Sequence, residues 1–90
     1  MPVNAVDLKI ALSTSQKQIL GKNPQRTYCL IVNPSDEEVF LSMGIPATVD
    51  RGIPLLTAGS NYEINLTNPW RGSISAVSKA GTPNITVVEW

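Results

Sequence analysis

The sequence predicts an all-β fold, a two-sheet sandwich of jelly-roll-like type with an extended N-terminal arm. Three observations lead there. Apolar residues alternate with period two through much of the chain, the signature of strands whose successive side chains face opposite ways. Turn-forming residues recur about every ten positions, as in small sandwiches and barrels. No heptad, internal repeat or low-complexity segment competes with this pattern.

Residues 1–13 read as an N-terminal arm or edge strand, and 14–90 as the sandwich domain. Val6, Leu8, Ile10 and Leu12 alternate with Asp7, Lys9 and Ala11. A helix is the rival reading, because Ala5, Leu8 and Leu12 also share a helical face, but the alternation favours a strand. Gln16–Leu20 is a short strand closed by Gly21-Lys22-Asn23-Pro24. The run Arg26–Asn33 is almost continuously apolar and reads as a central strand buried on both faces. Asn33-Pro34-Ser35-Asp36 then forms a turn with Pro at its second position. Val39-Phe40-Leu41 is expected to return along the preceding strand as a hairpin, with Val39, Leu41 and Met43 on one face. Arg26 would then meet Glu37 or Glu38 across it.

Ile45–Pro54 contains Pro46, Gly52 and Pro54 and reads as a loop or broken edge strand. After the turn Thr57-Ala58-Gly59-Ser60, residues 61–66 alternate with Tyr62, Ile64 and Leu66 inward. Ser73–Ser78 and Ile85–Trp90 are the last strands, separated by Ala80-Gly81-Thr82-Pro83. In the final strand, Ile85 and Val87 share one face and Val88 and Trp90 the other. A strand apolar on both faces is central or lies beneath another element.

Composition excludes several chemistries. The 90 residues hold 7 basic and 7 acidic groups, no His and 1 Cys. No disulfide can close within the chain, and no soft-ligand zinc site is available. Hydrolysis by a His-activated serine or cysteine is excluded. Neutral net charge gives no overall pull toward nucleic acid or anionic lipid, and the basic residues interleave with acids. No apolar window approaches the length of a membrane span. Asp36, Glu37 and Glu38 lack the spacing of an EF-hand loop and read as a solvated hairpin tip. Cys29, inside an apolar run, reads as a buried inert thiol. No cofactor, metal, nucleic acid or membrane partner is expected, nor an enzyme. The first residues lack a basic, then apolar, leader pattern, so synthesis in a cytosol is expected.

At 16% charged against about 25% for an ordinary domain, the chain has few solubilising groups. With no staple available to so small a core, a homo-oligomer, trimer or dimer, is expected. The interface candidates are Val6, Leu8, Ile10 and Leu12 on the arm, then Trp70, Arg71 and Trp90. Trp and Arg are enriched at interface hot spots. The competing reading for the Trp70-Arg71 pair is architectural: Trp70 caps one end of the sandwich and Arg71 pairs with an acid. The arm could cover its own sandwich or add as a strand to a neighbour.

A set of residues also carries a resemblance. It runs through Gln18-Ile19-Leu20, Asn23-Pro24-x-Arg26, Leu30–Ser35, Val39-Phe40-Leu41, Gly44, Gly52-Ile53-Pro54-Leu55 and Gly59-Ser60-x-Tyr62-Glu63. It closes with Trp70-Arg71-Gly72-x-Ile74-x-Ala76-Val77-Ser78 and Ile85–Glu89. Over about residues 14–90 this resembles small β-rich structural proteins of tailed bacteriophages. The resemblance implies a virion component on the capsid exterior, a head decoration (cement) protein contacting the major capsid protein. The alternative is a carbohydrate- or receptor-binding or structural module of a tail, fibre or neck. It implies no catalytic residues.

Overall fold

The computed structural model describes residues 5–90. They form eight strands and no helix: β1 (Val6–Ala11), β2 (Lys17–Leu20), β3 (Cys29–Asn33), β4 (Val39–Met43), β5 (Ile53–Leu55), β6 (Ser60–Ile64), β7 (Ile74–Ser78) and β8 (Asn84–Glu89). Two four-stranded antiparallel sheets result, one ordered β1-β8-β3-β6 and the other β2-β7-β4-β5. The expected all-β sandwich is present.

The pairing is nested. β1 pairs with β8, β2 with β7, β3 with β6 and β4 with β5. The pairs β3·β8 and β4·β7 join these ribbons into sheets. β3 and β4 therefore lie in different sheets, and the expected hairpin between them does not form. Asn33 fastens the crossing instead. Fully buried, it donates through Nδ2 to the carbonyls of Glu37 and Leu55 at 2.8 Å, while its Oδ1 accepts from the Ser35 backbone and hydroxyl. A buried amide is tolerated only when satisfied this way.

Alternation sorts each strand's side chains. Cys29, Ile31, Ile64, Ile85 and Val87 of the first sheet meet Val39, Leu41, Leu55, Ile74 and Ala76 of the second in one core. Ile19, Leu20 and Leu12 close it. The second sheet also has a covered back. Phe40 and Val77 point away from the core and pack beneath Ala47 and Val49 of the β4–β5 loop. Ser75 Oγ donates to the Ile45 carbonyl at 2.7 Å and holds that loop down. This explains why every residue of β7 is buried.

Of the two readings of residues 1–13, arm or edge strand, the structure has the edge strand from Val6 to Ala11, paired along its length with β8; residues 1–4 lie outside the described residues. Besides the hairpin, two further expectations change. Leu66, expected inward, is 76% exposed, because the strand stops at Ile64 and an Asn65–Asn68 turn follows. Arg26 does not reach Glu37 or Glu38. It pairs with Glu89, and Glu38 lies 3.9 Å from Lys79 instead.

Candidate protein-binding face

The two sheets differ in what covers them. The second sheet's back lies under its own loop, whereas the back of the first, on its two central strands, carries apolar side chains that no described segment covers. Register defines that face. β3 contributes Leu30 and Val32, with Tyr28 just before it; β8 contributes Thr86 and Val88, with Trp90 just after it. Leu30 stands opposite Val88, and Val32 opposite Thr86. These outward residues are half-buried, while their neighbours Cys29, Ile31, Ile85 and Val87 are fully buried on the other side. The flanking strands supply a polar rim, with Asn61 and Glu63 on β6 and Asp7 and Lys9 on β1.

At one end of this stripe Tyr28 and Trp90 stack, with ring centroids 4.5 Å apart and planes inclined by 24°. The backbone dictates the stack: the amides of Tyr28 and Trp90 each donate to the other's carbonyl at 3.1 Å, which sets the rings side by side. The Tyr28 hydroxyl donates to Glu63 Oε2 at 2.6 Å. That bond to a carboxylate, with its negative charge, raises the Tyr28 phenol above the ordinary value of 10.0. The phenol therefore stays neutral at physiological pH, and the stack presents an apolar surface with a fixed polar margin.

Beneath the stack lies a buried ion pair. Arg26 Nε donates to Glu89 Oε2 at 2.6 Å. Its Nη1 donates to the carbonyls of Trp70 and Gly72, and its Nη2 to that of Gly21, all at 3.0 Å. One guanidinium thus ties the β2–β3 loop, the β6–β7 loop and β8 together, using the planar fork that only Arg offers. Glu89 immediately precedes Trp90, and Arg26 lies two residues before Tyr28, so this latch anchors both halves of the stack.

The predicted site residues separate into three groups. Trp90 lies on the uncovered face, beside Tyr28, which the apolar run had suggested was core. Trp70 and Arg71 do not reach it. Trp70 packs against the core at the end of the sandwich and donates Nε1 to the Ser73 carbonyl at 3.1 Å. Its ring lies so close to Gly72 that a Cβ there would stand 2.6 Å from Cζ2. Arg71 is exposed, but its Nε donates to the Arg26 carbonyl at 2.9 Å rather than meeting an acid. Trp70 thus matches the architectural reading, and Arg71 ties its loop to the Arg26 backbone instead of to an acid. Just after β1, Leu12 is buried in the core, and Ile10 of β1 is partly buried against it. Val6 and Leu8 remain 45% and 38% exposed on the core-facing side of this edge strand.

Leu30, Val32 and Val88 were not singled out from the sequence as contact residues. Their signal was the second apolar face of the runs at 28–33 and 85–90, which was read as buried in a central strand or beneath another element. Among the described residues no group of three or more Asp, Glu or Cys side chains gathers into a metal-binding cluster. The Cys29 thiol is pushed up to about 11 by burial, so it stays protonated and is no nucleophile. What the arrangement can do chemically is adhere: an apolar centre with a polar rim is the anatomy of a protein interface. Comparison with protein-family models, curated proteins and solved structures returned no match.

Proposed function

We propose that the protein is a structural component of a bacteriophage virion that binds other proteins through the back of its first sheet, as a decoration protein contacting major capsid subunits. The observation that carries the adhesive part is the stripe Tyr28, Leu30, Val32, Val88 and Trp90 left uncovered on one sheet while the other sheet covers its own back. We read the nested strand pairing as a jelly roll, an arrangement found in capsid and lectin domains alike, so fold alone does not choose a function. The virion setting comes from the sequence resemblance. A protein with a neutral charge balance and a satisfied interior has only surface to offer, which suits a non-catalytic cement acting through many weak contacts. A glycan-binding module needs an open aromatic platform, and Trp70, packed against Gly72 and the core, does not offer its ring as one.

The test is cosedimentation of the purified protein with expanded and with immature capsids. Binding to expanded shells, lost in Leu30→Asp and Val88→Asp variants whose unfolding midpoints stay near wild type, supports the reading. Equal retention of those variants on the capsid would overturn the assignment of the face.

A further inference from the structure

We infer that two copies of this chain join through β1 in an antiparallel pair centred on Leu8, so that the first sheets of the two copies run together into one. β1 is the longest strand at a sheet margin, six residues against five for β6, four for β2 and three for β5. The other margins carry features that discourage pairing: β5 contains Pro54, which has no N–H to give, and β2 is irregular between Gln18 and Leu20. β1 has neither.

Which backbone groups of β1 are free follows from register. The amides and carbonyls of Tyr28 and Trp90 bond each other, so on β8 the residues Thr86, Val88 and Trp90 turn their backbone toward β3. Ile85, Val87 and Glu89 then turn theirs toward Ile10, Leu8 and Val6. The Leu12 amide donating to the Pro83 carbonyl continues the same alternation. Asp7, Lys9 and Ala11 therefore direct their amides and carbonyls off the margin of the sheet. The Ala11 carbonyl confirms the direction, since it accepts from Lys17 Nζ, outside the β1–β8 ladder.

Only one two-fold register suits the side chains. Centred on Leu8, it sets Asp7 of each copy opposite Lys9 of the other, in hydrogen-bonded positions that use the free backbone groups just identified. On the core-facing side it brings Leu8 against Leu8 and Val6 against Ile10, covering the apolar surface that Val6 and Leu8 leave exposed. Centred on Asp7 or on Lys9, the pairing would place identical charges opposite each other, which is unfavourable. Centred on Ile10, it would set Lys9 opposite Ala11 and Asp7 opposite Ser13, leaving both charges unpaired. β6, the other margin of this sheet, carries Glu63 as its one charged residue and offers no such complement. The contact is isologous, as a two-fold dimer requires, and it closes the β1 margin of both copies at once.

The inference goes beyond the virion reading, and its test involves no capsid, so either can fail alone. Sedimentation of the full chain should give twice the 9.7 kDa chain mass. Asp7→Lys and Lys9→Asp, each alone, set like charges opposite in both pairs and should weaken the dimer about tenfold or more while the circular dichroism spectrum is unchanged. An equimolar mixture of the two variants sets the acidic strand of one against the basic strand of the other and should restore the dimer. Wild-type protein sedimenting as a monomer or a trimer would overturn the inference. So would single variants that dimerise as well as wild type, or a mixture that does not reassemble.

Discussion

Replacing Arg26 by Met should be among the most damaging single changes in the chain. The guanidinium is fully buried and the Glu89 side chain is only 10% exposed. Met fills much of the aliphatic volume but removes the cation, leaving a buried carboxylate with no partner. Breaking a buried pair from one side costs about 3–5 kcal/mol. A small domain has only about 5–15 kcal/mol of stability to lose. For a domain of this size the loss should lower the melting temperature by at least about 12 °C. The companion variant, Arg26→Met with Glu89→Leu, removes the stranded charge. It still deprives the carbonyls of Gly21, Trp70 and Gly72 of their donor, at about 1 kcal/mol each before water compensates. The double variant should therefore be more stable than the single one. Urea unfolding followed by the fluorescence of Trp70 and Trp90 measures both. A single variant that loses less than about 1 kcal/mol, or a double variant no more stable than the single, would refute the latch as the source of order at this end of the sandwich. Because the latch anchors Tyr28 and Trp90, Arg26→Met should also weaken binding through the uncovered face at temperatures where it remains folded.

Three further outcomes are expected. Tyr28 should ionise above the usual tyrosine range, and Glu63→Gln should bring it down, as read by tyrosinate absorbance. Because the folded phenol is the harder one to ionise, this contribution to stability is present below pH 10 and fades as pH rises through the folded value. The Cys29 thiol, fully buried and held near 11, should react with a disulfide reagent at mildly alkaline pH more than about a hundredfold more slowly in the native protein than in urea, because lost access adds to the lower thiolate fraction. Gly52→Ala should destabilise by about 2–4 kcal/mol, since Gly52 has φ of 76° and a Cβ there would lie 2.1 Å from the Leu41 carbonyl oxygen, forcing the β4–β5 connection apart; thermal unfolding checks it.

Most strands were legible because alternation is a local property; β5, interrupted by Pro54, fell at the end of a segment read as a loop or broken edge strand. What stayed hidden is long-range. An apolar run, a Pro-containing turn and a second apolar run look the same whether the chain folds back in one sheet or crosses to the other. The crossing from β3 to β4 depends on Asn33 reaching Leu55, 22 residues away. The Arg26–Glu89 pair spans 63 residues and leaves no trace in local spacing. Trp90, singled out for its residue type, lies on the back of the first sheet, whereas Trp70, singled out for the same reason, packs against Gly72 at the end of the sandwich. The uncovered face was visible as a doubly apolar strand. Which of its two sides the second sheet covers depended on long-range packing, as did the seating of residues 45–52 over the back of that second sheet.

The nested pairing also sets a sequence of events as the chain folds. Closing β4 on β5 spans the shortest segment, and each further pair closes over a loop already shortened by the one inside it, so the entropic cost of each step stays small. On this route β1 meets β8 last, after the rest of the sandwich exists. Until then the β8 margin is an open template, and the strand that should fill it is the one attached by the longest excursion through the chain. At high concentration during refolding, β1 of one molecule can take the β8 place of another, so domain-swapped species should increase with protein concentration, and hydrogen exchange in the native protein should open β1 before any other strand of its sheet.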